Sequence, residues 1–138
     1  NKIKKYPRIN TCVDAVILND KNEILLIKRG DKNSAEYNKW SLVGGYVDYF
    51  ETTRKAIVRE IKEELGVSKV NVDDMLTVAD NPFRDPKGRN ISIVYKVNIS
   101  NDIKINKKEV KKYKWFKLNK LPKKIAFDHE KIIKTLDK

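Results

Sequence analysis

The sequence predicts an α/β fold, a layered domain in which strands pack with two helices, and three observations point to it. Short β-branched and aliphatic runs recur at strand length, one helix carries start and stop signals at both ends, and a short amphipathic segment closes the chain. Thr11–Leu18 and Glu23–Arg29 are aliphatic runs separated by the turn-rich quartet Asn19-Asp20-Lys21-Asn22, which reads as a β-hairpin. A polar loop, Gly30–Lys39, leads to the strand Trp40-Ser41-Leu42-Val43 and then to Gly44-Gly45, where the backbone can turn tightly or approach a ligand. Good helix formers fill Thr52–Leu65, with Thr52 or Thr53 as N-cap and Gly66 where a terminating glycine belongs. Val67–Val78 reads as a strand region, and Ile91–Ile99 places Ile91, Ile93, Tyr95, Val97 and Ile99 on one side. Tyr113–Leu118 is an aromatic strand, and Phe127–Leu136 a short helix with Ile132, Ile133 and Leu136 at helical spacing. No repeat or linker divides the chain, so residues 1–138 are expected to form one domain.

At 40% hydrophobic and 36% charged, the 138 residues can build a core but are more charged than an average domain. No apolar run is long enough to cross a membrane. No apolar stretch backs the basic start, Asn1–Asn10, so nothing resembles a secretory signal and a cytoplasmic location is expected. One Cys (Cys12) and one His (His129) rule out a disulfide framework and an ordinary Cys/His zinc site. Any metal must be held by oxygen. Lys and Arg exceed Asp and Glu by 31 − 19 = 12, and ten lysines between Lys104 and Lys124 face a single acid, Glu109. Such a run can meet nucleic acid, but a solvated basic face is the simpler reading, since lysine is used heavily throughout.

On a helical wheel Ile57, Val58, Ile61 and Leu65 share a sector about 100° wide, and Glu60, Glu63 and Glu64 crowd the adjoining one. Like charges so placed repel. Taken alone, they read as a salt-bridged solvent face in which Arg59 and Glu63 form an i,i+4 pair. The register with upstream residues says more. Gly45, five residues, Glu51, seven residues, Arg59-Glu60-Ile61, one residue, Glu63-Glu64, one residue, Gly66-Val67 form one spaced pattern. Carboxylate oxygens suit Mg²⁺ or Mn²⁺, and a glycine loop entering a helix lets a diphosphate approach the backbone.

The stretch Gly45–Val67 resembles the signature of the Nudix hydrolase family. The resemblance implies an α/β/α sandwich with a central mixed β-sheet, the signature helix on one side and the C-terminal helix on the other. It also implies hydrolysis of a nucleoside diphosphate linked to another group, with Mg²⁺ (or Mn²⁺) as cofactor. Glu60 and Glu64 would be the main metal ligands, Glu63 a further ligand or water-orienting group, and the Gly44 carbonyl a backbone ligand. Arg59 and Glu51 would brace the loop against the helix. Glu109, six residues before Trp115, is placed like the additional metal-binding glutamate of many family members. The general base stays open among Glu60, Glu63 and Glu109. Val43 stands where relatives often carry Pro, a change that loosens the loop without altering chemistry.

Outside the signature, Arg84-Asp85-Pro86-Lys87-Gly88 and Ala126-Phe127-Asp128-His129 resemble segments of ADP-ribose pyrophosphatase-like members, with Lys87 in place of Arg and Ile125 in place of Leu. The substrate implied is ADP-ribose, cleaved to AMP and ribose 5-phosphate. Arg84 can pair bidentately with a phosphate, Phe83 can stack on a base, Arg29 can point to the same mouth, and Asp85 accompanies them. His129 reads as a structural hydrogen-bonder, and Trp40, Trp115 and Phe116 as core or pocket wall. A nucleoside triphosphatase, an RNA 5′-end hydrolase and a non-catalytic nucleotide sensor are the alternatives. Related diphosphatases are often homodimers.

Overall fold

The computed structural model describes residues 8–34 and 36–137, so most of the Asn1–Asn10 stretch lies outside the described residues. Seven strands and two helices run in the order β1 (Asn10–Ile17), β2 (Glu23–Arg29), β3 (Trp40–Ser41), β4 (Val43–Tyr46), α1 (Thr53–Leu65), β5 (Val70–Ala79), β6 (Asn90–Ile99), β7 (Val110–Lys117) and α2 (His129–Lys134), followed by a 3₁₀ turn, Thr135–Asp137.

The middle layer is two sheets. One is mixed and four-stranded, β4-β1-β6-β5, with β1 and β6 parallel; the other is antiparallel and three-stranded, β3-β2-β7. Each sheet presents one face to α1, through Val13, Ala15, Ile17, Leu25 and Ile27 against Ile57, Ile61 and Leu65. The opposite faces, through Val16, Ile24, Leu26 and Val94, pack on Ile132 and Ile133 of α2. Period-two alternation therefore sends alternate residues of β1 and β2 to two different helices, which is why these strands are apolar throughout.

That double burial also explains a departure from the expected hairpin. The chain does turn at Asn19–Asn22, with Asn22 at φ 58°. The two strands then share only an isolated bridge, Leu18 to Ile24, and enter different sheets. Both edges of β1 are occupied by β4 and β6, and both edges of β2 by β3 and β7, so neither is free to pair with the other. Similarly, Trp40–Val43 is two strands. At Leu42 the N–H leaves the ladder and donates to Nδ1 of His129 at 3.1 Å, and the chain crosses from one sheet to the other.

Helix α1 starts with Thr52 as N-cap, its side chain accepting from Lys55 N–H, and ends at Gly66, φ 70°, whose N–H reaches the Lys62 carbonyl. Its buried face includes Ala56 and leaves Val58 half-buried, a small rotation from the expected stripe. Val43 is fully buried in the core opposite Ala15, so it packs where a proline ring would otherwise sit. The C-terminal helix begins at His129 rather than Phe127, because Phe127 adopts φ 52°, outside helical space.

Candidate active site

The loop from Gly44 to Thr52 carries the chain from the mixed sheet into α1, and Arg59 holds it. Its Nε donates to both oxygens of Glu51 (3.0 and 3.2 Å), and Nη2 donates to Glu51 at 2.6 Å and to the Tyr46 carbonyl at 2.9 Å. Nη1 reaches Glu60 at 3.1 Å and Glu63 at 3.3 Å. The Arg59 hydrogen bond, helped by the Asp48 N–H, keeps the Glu51 carboxyl below the usual range. One guanidinium thus ties the loop backbone to three of the signature carboxylates, a geometry suited to Arg's fork of donors.

Gly44 and Gly45 are both closely covered, Gly44 by backbone and Gly45 by the Glu60 side chain. A Cβ at Gly45 would overlap the Glu60 carboxylate, and one at Gly44 would overlap the Val13 carbonyl and Asp14. Glu60 therefore lies flat against the glycine backbone. Glu64, one turn on, is 6% exposed. Burial, and then the Glu60 charge, push the Glu64 carboxyl well above its ordinary range, with Glu109 adding to the effect. Burial also raises Glu60, although neighbouring Glu64 and the Arg59 charge oppose it. A carboxyl pair that resists double ionisation is what a hard cation relieves, and the all-oxygen donor set fits a divalent one.

Among the described residues no three His, Cys, Asp or Glu side chains gather closely enough to form a ready-made cation cage. Glu60, Glu63, Glu64 and Glu109 do not converge as one unit: Glu63 is exposed and turned toward Arg59, and Glu109 is exposed at the start of β7. The Glu109 backbone nonetheless ties to the site, its carbonyl accepting the Gly30 N–H at 2.9 Å.

Beside Gly44 and Gly45 opens a cavity of about 130 Å³, whose walls include Cys12, Asp14, Arg29, Tyr46, Arg84, Asp85, Asn90, Phe127 and His129. Two expectations change here. Arg84 is not free for a phosphate: its Nε and Nη2 fork onto Asp128 at 2.9 and 2.8 Å, with its side chain 4% exposed. Phe83 is 91% exposed on its turn and does not line the cavity. Asp85 does line it, accepting from Asn90 Nδ2 at 2.7 Å and from Lys87 N–H at 2.9 Å. Arg29 sits on the wall over the Phe127 ring, 5.4 Å from its centroid.

His129 is structural, as its position suggested. Because Nδ1 accepts from Leu42 N–H, Nε2 carries the proton of the neutral ring, and it faces Asp14 at 3.5 Å. Asp14 is buried, accepts a short hydrogen bond from Ser92 Oγ and lies 3.9 Å from Arg84. Burial, then Asp14, push the Cys12 thiol up to about 11. Sequence reasoning passed over Asp14, although one acid inside the apolar run Val13–Leu18 was a usable signal. It also passed over Asp128 as the partner of Arg84, and over Tyr46, Asn90 and the buried Glu36, which only the tertiary fold brings near the cavity.

The lysine run behaves as a solvated face. On the edge strand β7, Lys111 lies over Tyr37, Lys112 over Trp40 and Lys114 over Phe116. The ammonium groups sit 4.9, 5.6 and 5.3 Å from those ring centroids, cation–π placements on exposed lysines that also blunt the sheet edge. Among the described residues, no helix is long and apolar enough to cross a membrane.

The site and fold match known proteins across nearly the whole chain. Residues 9–136 match the model of the NUDIX domain. The chain is 45% identical over 134 residues to an ADP-ribose pyrophosphatase of Methanocaldococcus jannaschii, covering 96% of this chain and 76% of that protein. It is 28% identical over 122 residues to the NAD-capped RNA hydrolase NudC of Pectobacterium atrosepticum, covering 88% of this chain but only 44% of the relative's length. The NUDIX domain of Shewanella oneidensis NrtR, solved in complex with ADP ribose, superposes with a TM-score of 0.79 at 26% identity, covering 97% of this chain and 90% of that one. With a signature loop closed on its own helix by Arg59, a carboxyl pair behind it and a match from residue 9 to residue 136, the chain belongs to the Nudix hydrolase family.

Proposed function

We propose that the protein hydrolyses ADP-ribose to AMP and ribose 5-phosphate in the presence of Mg²⁺. The observation that carries the reading is the juxtaposition of the Glu60–Glu64 carboxyl pair, half-buried at Glu60 and buried at Glu64, with a cavity reached across Gly44 and Gly45. The likeness to an ADP-ribose pyrophosphatase along 96% of the chain supports this choice of substrate. The NAD-capped RNA hydrolase supports the chemistry rather than the substrate, since the chain spans less than half of it.

Glu60 and Glu64 would hold the cation, with Glu63, Glu109 and the Gly44 carbonyl available to complete its shell. Bound there, the cation neutralises diphosphate charge and lowers the pKa of attacking water. The protein's part is placement. Gly44 and Gly45, without side chains, leave room for the diphosphate beside the carboxylates, and Arg59 keeps that loop fixed. Arg29 offers a guanidinium to a phosphate oxygen at the cavity wall. Water oxygen bonds to one phosphorus, the bridging P–O bond breaks, and a carboxylate among Glu60, Glu63 and Glu109 takes the water proton. A cytoplasmic setting suits this substrate.

A panel of ADP-ribose, nucleoside triphosphates and 5′-capped RNA, each with Mg²⁺, tests the assignment. ADP-ribose should give the highest kcat/KM, with AMP as product. Efficient cleavage of another nucleotide with no AMP from ADP-ribose would reject the substrate while leaving the class.

A further inference from the structure

The backbone of Phe127 is the least expected feature of the cavity. An aromatic residue at φ 52° occupies the left-handed region that side chains with a Cβ seldom enter. What precedes it is regular: Trp40 bridges Ile125 in parallel, Trp40 N–H donates to the Lys124 carbonyl (2.8 Å), and Ala126 N–H donates to the Trp40 carbonyl (2.7 Å). A strand continuing through Phe127 would send alternate side chains to opposite faces. The left-handed turn instead lets three successive residues serve one cavity. Phe127 and His129 line it, and Asp128 grips Arg84, which also lines it.

Strain of this kind persists where its surroundings over-determine it. Here the determinant is Glu36, in the loop between β2 and β3. Its Oε1 accepts the Phe127 N–H at 3.0 Å, and its Oε2 accepts from Lys39 Nζ at 2.6 Å. Glu36 is itself 6% exposed and held in a tight turn, its N–H donating to Ser34 Oγ at 3.1 Å. Burial works against its charge, but the bonds from Lys39 and Phe127 outweigh it and keep the carboxyl ionised below its ordinary range. An ionised acceptor makes the Phe127 bond a strong one.

The Phe127 ring in turn carries Arg29. The guanidinium lies over the ring, and Arg29 Nε is buried without a hydrogen-bond partner among the described residues. Its charge favours the ionised form of both Glu36 and Glu64, as the smallest of the influences acting on each. A guanidinium fixed by stacking, not by a carboxylate, keeps its donors for an anion.

We propose that Glu36 and Phe127 are positioning residues for the substrate's diphosphate: Glu36 locks the left-handed turn at Phe127, and the Phe127 ring presents Arg29 to a phosphate oxygen. This rests on the reading of the cavity as the nucleoside diphosphate site. Neither residue touches a reacting atom. Their effect passes through Arg29 and is expected in KM.

The test is a mutant cycle on the full chain with ADP-ribose and Mg²⁺. Glu36→Ala should raise KM about tenfold with kcat within about twofold of the parent, the pattern of lost uniform binding. Glu36→Gln, which keeps an acceptor oxygen for the Phe127 N–H, should recover most of that loss. Lys39→Met, which removes one of the two bonds that keep Glu36 ionised but leaves its oxygen on the Phe127 N–H, should raise KM less than Glu36→Ala does. In an Arg29→Ala background, Glu36→Ala should add less than about twofold, because the residue it acts through is gone. Full multiplication of the two KM effects, a Gln variant as impaired as Ala, or a fall in kcat at unchanged KM would each overturn the proposal. If Glu36→Ala does not fold, Phe127→Leu replaces it in the same cycle, with the same expected non-additivity. If the parent cleaves a different nucleotide and not ADP-ribose, the substrate assignment falls, and the cycle run on that nucleotide still decides the role of Glu36.

Discussion

Substituting Glu64→Gln should change stability in opposite directions with and without Mg²⁺. The side chain is 6% exposed, and its ionisation is opposed by burial and by the Glu60 charge. A carboxyl whose folded pKa is raised above its unfolded value binds more protons in the native state. Its favourable contribution is complete below the unfolded pKa and is lost as pH rises through the folded one. The metal-free parent should therefore lose stability as pH rises from the acid range toward its raised pKa. Glutamine keeps the shape and removes the charge, so at pH 7.5 with chelator the variant should be more stable by about 1–2 kcal/mol, the usual yield of relieving a strained functional group. For a domain of this size that is roughly 3–8 °C in Tm. Mg²⁺ should reverse the order. At a hundred times its Kd, a cation binding only the native state adds about 2.7 kcal/mol, and the variant should gain little of it. Thermal melts of both proteins with chelator and with Mg²⁺, across pH 5.5–8.5, read all four quantities. A metal-free variant less stable than the parent, or an equal Mg²⁺ shift in both, would refute the reasoning.

Other substitutions probe the walls of the site. Arg84→Ala leaves Asp128 unpaired beside a buried network and should destabilise the protein by about 3–5 kcal/mol in a denaturant titration; Arg84→Lys should recover only part of it, since the fork is bidentate. Gly45→Ala drives a Cβ into the Glu60 carboxylate and should lower kcat/KM at least about tenfold with little change in Tm. Cys12, its thiol pushed up to about 11, should react with a thiol reagent at pH 8 on the order of 100-fold more slowly than a free thiol, and at the ordinary rate once unfolded.

Much of this was legible in the sequence because it is local. The cap at Thr52, the apolar periodicity through Ile57, Ile61 and Leu65, and the stop at Gly66 are set by neighbours along one helix, and the spacing from Gly45 to Val67 carried the chemistry with them. What escaped depends on partners far away in the chain. The turn at Asn19–Asn22 looks like any hairpin turn, and only the full occupation of both edges of β1 and β2 shows that the strands part company. Arg84 reads in the sequence as a phosphate partner, yet the carboxylate it forks onto lies 44 residues on, and nothing local distinguishes an arginine awaiting a phosphate from one already held by Asp128. Phe127 was placed at the start of a helix because its composition permits it. The bond from Glu36, 91 residues earlier, is what turns it out of helical space.

The most direct test of the central claim is to incubate the parent and Glu64→Gln with ADP-ribose and Mg²⁺ in ¹⁸O-labelled water and identify the products by mass. The parent should yield AMP and ribose 5-phosphate in equal amounts, with a single ¹⁸O in one of them. The variant should be slower by at least about 100-fold. Label in neither product, cleavage at a bond other than the diphosphate bridge, or a variant as fast as the parent would contradict it.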